Sequence, residues 1–251
     1  MKVWITGALG FMGREVANAV KLAGAEIAGG IDPRNGSAEF PLFSSFAQAQ
    51  GEGNVIIDFS SPDALDDILA FAIEHRLPVV LATTGYTPEQ LAKIDEAAQK
   101  IAIFRSANMS VGVALLRALS KKAAQVLGDT FDIEIVEAHH NRKLDAPSGT
   151  ALMLLEAVKS GLSDERYAVH GRSGRDSKRQ KAEIGMHALR GGTVTGEHEV
   201  CFFGPSERVT ISHSAENRGV FAGGAVRAAA WLIGKEPGLY SMDDVMGDIL
   251  A

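Results

Sequence analysis

The N-terminal segment KVWITGALGFMGR constrains the fold of this chain more than any other part of the sequence. It begins with a short, mostly apolar run rich in strand formers, and a helical apolar period extends from Phe11 to Leu22. Gly7, Gly10 and Gly13 lie at the junction of strand and helix. Such glycines let the backbone approach a pyrophosphate, whose charge is stabilised by the positive end of the helix. The alternative is a tight strand–helix turn that binds nothing.

Further strand patterns follow the first, with helical patterns between them. The strand patterns cover residues 25–32, 54–60, 78–85 and 101–108, and the helical ones cover 63–75 and 87–100. Thr87 is a candidate N-cap, with Pro88 at the first helical position. Strands that alternate with helices in this way predict an α/β fold with a Rossmann-like, doubly wound parallel sheet.

Beyond Met109 the pattern changes. A long amphipathic helix, a strand of alternating apolar and acidic residues and another helix are followed by a polar, basic loop, at 111–128, 131–140, 148–160 and 165–181. Strand patterns and a last helix then cover 182–192, 193–204, 207–217 and 221–234. This order predicts a second, α+β domain with a mixed or antiparallel sheet.

The composition is that of a globular protein and disfavours several functions. The chain has 251 residues, 46% of them hydrophobic, and its net charge of -6 argues against a nucleic-acid partner. Its single cysteine, Cys201, excludes an internal disulfide and a cysteine zinc site. The first residues lack a signal-peptide pattern and no apolar run is long enough to span a membrane. We therefore expect no membrane partner and a cytoplasmic location.

Asp32 ends the second predicted strand, 19 positions after Gly13. A carboxylate at this place can hydrogen-bond the adenosine ribose of a dinucleotide and repels a 2′-phosphate. Arg34, two residues further on, can attract one. We expect NADH to be used at least as well as NADPH. The alternative is that Asp32 is a turn residue before Pro33.

The stretch EAHHNRKLDAPSGTA, residues 137–151, carries the other candidate site. Side chains alternate across a strand, so Glu137 and His139 share one face and His140 takes the other. Unless the strand ends there, the two imidazoles cannot serve the same atom. One histidine then faces the chemistry while the other holds the substrate or the backbone.

A helix start follows these histidines. Ser148 is a good N-cap, and Gly149 and Thr150 supply N–H groups in the first turn. Such a helix end binds carboxylates, and Lys143 adds a full positive charge from the preceding loop. The stretch therefore predicts an anion site beside a potential acid.

Several roles stay open for the histidine pair on spacing alone. They are catalysis, anion binding, zinc binding and an ordinary hydrogen-bonded place in a loop. Zinc is the least favoured, because no acidic or cysteine ligand cluster accompanies the pair. We therefore expect no metal site.

The stretch 137–151 resembles the hallmark segment of the dihydrodipicolinate reductases over its full length. The resemblance extends over nearly the whole chain, through GALGFMGR, VIIDFSSPDA, TTG, SANMSVG, RGGTVTGEHEV, ISHSAENRGVFAGGAVRAAAWL and PGLYSMDDV. It implies an enzyme that uses NADH or NADPH in the diaminopimelate route to lysine. The implied substrate is the cyclic dicarboxylate made from pyruvate and aspartate semialdehyde, and the implied product is tetrahydrodipicolinate.

The resemblance also implies roles for individual residues. His139 matches the proton donor of the family and Lys143 its second catalytic group, which also binds substrate. The matched substrate-binding positions are His140, Gly149 and Thr150, and Ser148 at the same helix start is expected to bind substrate with them. Together with Asp32, which its spacing indicates, and Ala82 before TTG, the expected cofactor-binding positions are Gly7, Ala8, Leu9, Gly10, Phe11, Met12, Gly13, Thr83, Thr84, Ser106, Ala107, Asn108 and Met109.

The family is usually a homotetramer whose C-terminal segment returns to the nucleotide domain. This implies a dinucleotide-binding domain of residues 1–110 and 220–251, and a substrate-binding and oligomerisation domain of residues 111–219. Ala82 departs from the glycine common in the family, and the basic loop with Arg172 and Arg175 is not a clear match, so no catalytic role is assigned to the loop. Another two-domain nicotinamide dehydrogenase and a non-catalytic nucleotide sensor are the competing functions.

Overall fold

The computed structural model describes residues 1–128 and 130–250, which fold into two compact units. The first unit comprises Met1–Ser110 and Arg218–Ala251, and the second comprises Val111–Asn217. That the first unit binds the dinucleotide and the second binds substrate and forms the oligomer stays a prediction.

The first unit is built around a parallel sheet of seven strands in the order β12-β6-β5-β4-β1-β2-β3. The strands are β1 Lys2–Thr6, β2 Glu26–Ile31, β3 Leu42–Phe43, β4 Val55–Asp58, β5 Val79–Leu81, β6 Ala102–Arg105 and β12 Gly238–Tyr240. The helices are α1 Phe11–Leu22, α2 Leu65–His75, α3 Pro88–Ala97, α6 Gly219–Leu232 and α7 Met242–Leu250. The described strand pairs are all parallel, so the carboxyl ends of the strands meet at one edge. Ligands of doubly wound folds bind at that edge.

Local sequence chemistry explains where the helices of the first unit begin. The Thr87 side chain accepts a hydrogen bond from the backbone N–H of Gln90, and the Gln90 side chain caps Thr87 in return, so the predicted N-cap is confirmed. Helix α1 begins after Gly10 without any side-chain cap. Its first N–H groups are therefore left for another acceptor.

The second unit contains a mixed sheet in the order β11-β10-β7-β9-β8. Its elements are α4 Val111–Leu127, β7 Asp132–His139, α5 Gly149–Gly161, β8 Tyr167–His170, β9 Glu183–Arg190, β10 Gly196–Phe203 and β11 Arg208–Ala215. Strand β7 pairs with β10 antiparallel and with β9 parallel. Its apolar residues Ile133 and Ile135 pack in one core with residues of α4 and α5. The predicted α/β fold with a second α+β domain is confirmed.

Some local predictions were wrong or incomplete. Residues Tyr167–His170, placed in a loop by the sequence pattern, form strand β8, which pairs in parallel with β9. Four residues are too few to show the alternation of a strand. Pairing with β9, not the local sequence, defines this strand. Strands β3 and β12 and helix α7 were not predicted, and the two strands have only two and three residues.

Candidate active site

The glycine turn of the first unit approaches its neighbours so closely that side chains cannot fit. Gly7 has a φ of +69°, and a Cβ placed on it would lie 2.5 Å from the carbonyl oxygen of Phe59. A Cβ on Gly13 would lie 2.2 Å from the carbonyl oxygen of Gly7. The turn thus keeps the uncapped start of α1 bare, as a pyrophosphate requires.

Asp32 is buried at the end of β2 and holds the glycine turn. Its Oδ2 accepts a hydrogen bond from the Leu9 N–H at 2.9 Å, and the Arg34 guanidinium donates to both carboxylate oxygens at 2.8 and 2.6 Å. The bonds from Arg34 hold the pKa of Asp32 below its ordinary value, against the opposing effect of burial. The carboxylate is therefore ionised and already paired, which its sequence position alone does not show.

Two cavities open beside the ends of the parallel strands. One, of about 280 Å³, brings together four predicted cofactor residues, Thr83, Thr84, Ser106 and Ala107. The other, of about 390 Å³, is lined by Gly7 and by residues that were not among the predicted cofactor positions, namely Thr6, Ile31, Pro33, Ser44, Ser45, Phe46, Ser60, Ser61, Asp63, Ala64, Asp67 and Ile68. The other predicted cofactor positions do not line either of these two cavities.

Some of those remaining positions have local structural roles. The Ala82 N–H donates to the Asp58 carbonyl at 3.0 Å. The Asn108 side chain accepts from the Ser110 N–H at 2.8 Å, and Met109 is buried. Their cofactor contacts stay predictions.

In the second unit, Glu137 and His139 share the same face of β7, as predicted. The two side chains are buried, and the Nδ1 atom of His139 lies 2.6 Å from Oε2 of Glu137. A Cβ on Gly196 would lie 3.1 Å from the Nε2 atom of the same imidazole. One ring nitrogen is therefore held by a carboxylate and the other faces a position without a side chain.

Glu137 is bound by more than the histidine. Arg190 donates to both of its oxygens at 2.7 Å, and the Ser148 N–H donates to Oε1 at 3.0 Å. Burial raises the pKa of Glu137, but the hydrogen bonds from Arg190, His139 and Ser148 outweigh it and lower the pKa below its ordinary value. Glu137 is therefore an anion in the folded protein at neutral pH.

Ser148 connects the start of α5 to a second histidine. It is the N-cap of α5, as predicted, and its hydroxyl accepts from the Ala151 N–H at 3.1 Å. The same oxygen lies 3.0 Å from Nε2 of His198, and the rings of His198 and His139 meet edge to face at 5.2 Å. The buried hydroxyl is thus committed to the protein, so contact of Ser148 with a substrate stays a prediction.

His198 is expected to make stability depend on pH. Burial, reinforced by the charge of His139, lowers its pKa from 6.5 to about 4. Protonation of the unfolded chain begins near pH 6.5, so the unfolding free energy should be about 2 kcal/mol lower at pH 5 than at pH 7 from this group. Urea unfolding at the two pH values measures the difference. His198→Gln should remove this part of it, and an undiminished difference would contradict the assignment.

The other predicted substrate residues lie in the first turn of α5 or in the segment that precedes it. Lys143 forms an ion pair with Asp145 at 2.8 Å, which lowers the pKa of the Asp145 carboxyl, and its charge reaches His198. The His140 N–H donates to the Val194 carbonyl at 2.8 Å. Gly149 and Thr150 form the first turn of α5, and the space beside the α-carbon of Gly149 is open.

Arg172 of the basic loop contacts carboxylates other than Glu137. Arg172 donates to Glu134 at 3.0 Å and to Glu183 at 3.1 Å. Because Glu134 and Glu137 are three positions apart along β7, their side chains lie on opposite faces of the sheet. Among the described residues, no group of three or more potential metal ligands is found. In the same part of the chain, no helix is long and apolar enough to cross a membrane.

Comparison with known proteins decides the family. The model for the N-terminal part of dihydrodipicolinate reductase matches residues 1–109, and the model for its C-terminal part matches residues 112–246. The chain belongs to the dihydrodipicolinate reductase family. The predicted oxidoreductase class, with NADH or NADPH as cofactor, is confirmed by this membership.

Relatives of the reductase family match the chain along its length. The 4-hydroxy-tetrahydrodipicolinate reductase of Caldanaerobacter subterraneus subsp. tengcongensis is 47% identical over 247 residues, covering 98% of each chain. That of Clostridium novyi is 44% identical over 247 residues with the same coverage. A solved dipicolinate-bound dihydrodipicolinate reductase from a Paenisporosarcina species shares the fold, with a TM-score of 0.78 at 22% identity, covering 96% of this chain and 97% of that one.

The sequence patterns did not identify two residues that lie in the site around His139. Arg190 and His198 lie on β9 and β10, and they reach Glu137 and Ser148 across 53 and 50 residues of sequence. The family-like segment RGGTVTGEHEV begins at the first of these positions and passes through the second, which is the one signal that was available.

Proposed function

We propose that this family member is a 4-hydroxy-tetrahydrodipicolinate reductase, reducing the cyclic dicarboxylate formed from pyruvate and aspartate semialdehyde. The observation that carries the proposal is the buried His139, held at 2.6 Å by Glu137 beside the start of α5. A bound nicotinamide cofactor supplies the hydride for ring carbon C4 of the substrate. The resulting enamine then needs a proton at C3, which a histidine can donate at neutral pH.

His139 is the proposed proton donor and Lys143 the second catalytic group. The geometry supports His139 because its Nδ1 is engaged by Glu137 while a residue without a side chain, Gly196, lies next to Nε2. Lys143 is one-fifth exposed and pairs only with the exposed Asp145 among the ion pairs described, so a substrate carboxylate can replace that partner.

The proposed anion site consists of the first turn of α5 together with Lys143 and His140. Gly149 and Thr150 lie where the helix dipole is positive, and open space beside Gly149 admits a carboxylate. A dicarboxylate fits this site because one acid group can contact the helix end while the ring stays beside His139. Ser148 contributes through its position as the cap.

The glycine turn fits the dinucleotide that the family uses. Gly7 and Gly13 leave no room for a Cβ, and the start of α1 has no side-chain cap. Asp32 is the proposed partner of the adenosine ribose, although Arg34 must move for its carboxylate to accept a further hydrogen bond. The positions from Gly7 to Gly13, the segment Ala82–Thr84 and the segment Ser106–Met109 complete the proposed cofactor site.

The Asp32–Arg34 pair yields a prediction on cofactor choice. We expect kcat/KM with NADH to equal or exceed that with NADPH, because the Asp32 carboxylate repels a 2′-phosphate. Arg34→Ala should lower kcat/KM for NADPH more than for NADH, since it leaves that carboxylate unpaired. Steady-state kinetics with both cofactors measures the ratio. A large NADPH preference in the wild-type protein would contradict this role of Asp32.

A homotetramer in the cytoplasm is the proposed form of the enzyme. The family resemblance carries this proposal, and the second unit exposes large apolar side chains, Tyr167, Leu189 and Phe203, of the kind found at subunit contacts. Light scattering of the purified protein measures the assembly.

The reaction itself is tested with substrate generated in place. Pyruvate, aspartate semialdehyde and a dihydrodipicolinate synthase are mixed with the purified protein, and the loss of NADH absorbance is followed. Oxidation that requires the synthase supports the proposed function. Cofactor binding without oxidation by either NADH or NADPH would instead support a nucleotide sensor or a different dehydrogenase.

A further inference from the structure

The carboxylate of Glu137 receives hydrogen bonds at every side. Oε2 faces Nδ1 of His139 at 2.6 Å and one Arg190 nitrogen at 2.7 Å. Oε1 faces the other Arg190 nitrogen at 2.7 Å and the Ser148 N–H at 3.0 Å. An ionised carboxylate offers about four acceptor positions, so these four contacts fill it.

This arrangement decides which nitrogen of His139 carries a proton. The Glu137 carboxylate is ionised and has no proton to donate, because it already accepts from Arg190 and from the Ser148 N–H. The hydrogen in its 2.6 Å contact with His139 must therefore be on Nδ1. In the neutral imidazole Nε2 is then bare. In the charged imidazole, the proton on Nε2 is the one that can leave.

Arg190 keeps Glu137 in the state that this arrangement needs. Its guanidinium is held in place by two further bonds, to the carbonyl of Asp145 at 2.7 Å and to that of Leu189 at 2.6 Å. The bidentate contact fixes the carboxylate plane as well as its charge. A buried carboxylate without such a partner would gain a proton and no longer require a donor at Nδ1.

We propose that Arg190 and Glu137 are positioning residues that fix a proton on Nδ1 of His139 and make Nε2 the proton-donating nitrogen, with Gly196 keeping Nε2 accessible. The proposal rests on the proposed function, because it takes His139 as the acid. Gly196 leaves space at Nε2, because a Cβ built on this glycine would lie 3.1 Å from that nitrogen. Arg190, Glu137 and Gly196 act through His139, without contact with the reacting atoms.

The tautomer is measured directly by two-dimensional 15N–1H correlation spectra of the full-length protein labelled at histidine. The His139 signals are assigned by their absence in His139→Gln. We expect the neutral imidazole of the wild-type protein to carry its proton on Nδ1. A proton on Nε2 would overturn the proposal whatever the enzyme's activity, so this result does not depend on the proposed function.

Kinetics of Glu137→Gln then tests the consequence. An amide has one acceptor oxygen and cannot satisfy all four donors, so the His139 tautomer should become mixed. We expect kcat to fall at least about tenfold and at most by the 10²–10⁴ of the acid itself, with the substrate KM nearly unchanged. A wild-type kcat in Glu137→Gln, while His139→Gln shows its expected loss of about 10²–10⁴-fold, would overturn the proposal and leave the proposed function intact.

Glu134→Gln is the matched control. Glu134 lies on the opposite face of β7, and it too contacts an arginine, Arg172 at 3.0 Å, and a histidine, His187 at 2.7 Å. Its replacement should leave kcat and the His139 tautomer unchanged, and an equal loss in both variants would reduce Glu137 to a structural role. Gly196→Ala, which leaves Glu137 intact, should also lower kcat at least about tenfold by crowding Nε2, and a wild-type kcat would contradict the role of Gly196.

Discussion

Replacing His139 with glutamine is expected to lower kcat by about 10²–10⁴-fold while NADH still binds. The imidazole is the proposed donor of the proton at C3, and an amide cannot give up a proton at neutral pH. Glutamine is preferred to alanine because its amide can still donate to Glu137, which would otherwise be a buried carboxylate short of one hydrogen bond. The loss of NADH absorbance gives kcat, and calorimetric titration gives the Kd of NADH.

Two companion variants make this result specific. Lys143→Ala should lower kcat and raise the substrate KM together, because its ammonium is proposed both to assist the reaction and to bind a substrate carboxylate. His187→Gln removes a histidine that contacts Glu134 on the opposite face of the sheet, and it should leave kcat unchanged. A His139→Gln protein with a wild-type kcat would exclude this histidine as the acid. Loss of NADH binding would place the defect in folding.

The sequence placed three of the five residues described around His139. Alternation along one strand places Glu137 and His139 on the same face, and N-cap chemistry places Ser148 at the start of α5. Arg190 and His198 could not be placed in this way, because they reach the site through the registers His139↔Arg190 and Glu137↔His198. Which strands pair, and in which register, depends on tertiary packing that no local period records.

The difference between local patterns and long-range pairing also explains which parts of the fold were predicted. Long alternating segments predicted the parallel sheet because each strand is buried and each helix has its own apolar face. Strands β3, β8 and β12 have only two to four residues, and each is defined by one neighbouring strand. The bond from Leu9 to Asp32 likewise joins two segments that are distant in sequence. Short elements and long-range contacts are therefore the part that sequence patterns alone left out.

The second large effect is expected at Gly13. In Gly13→Ala the new methyl group would lie 2.2 Å from the Gly7 carbonyl oxygen and 2.7 Å from the α-carbon of Ala8, both of them backbone atoms of the turn. Backbone cannot yield as a flexible side chain does, so the turn itself must shift away from the start of α1. We expect the Kd of NADH to rise at least about tenfold, since the proposed pyrophosphate site depends on the close approach of the turn to that helix start. The unfolding free energy should fall by roughly 1–3 kcal/mol from overpacking.

Gly223→Ala is the matched control for this prediction, because it is the same change in another helix of the same unit. Gly223 lies within α6 and a Cβ there meets no atom within 4 Å, so alanine should leave the Kd of NADH unchanged and raise the unfolding free energy by about 0.5–1 kcal/mol. Calorimetric titration and urea unfolding of the two variants measure both quantities. If the two proteins bound NADH equally well, the close packing of the glycine turn would be a structural feature of the strand–helix junction, and the cofactor would have to bind elsewhere along the sheet edge.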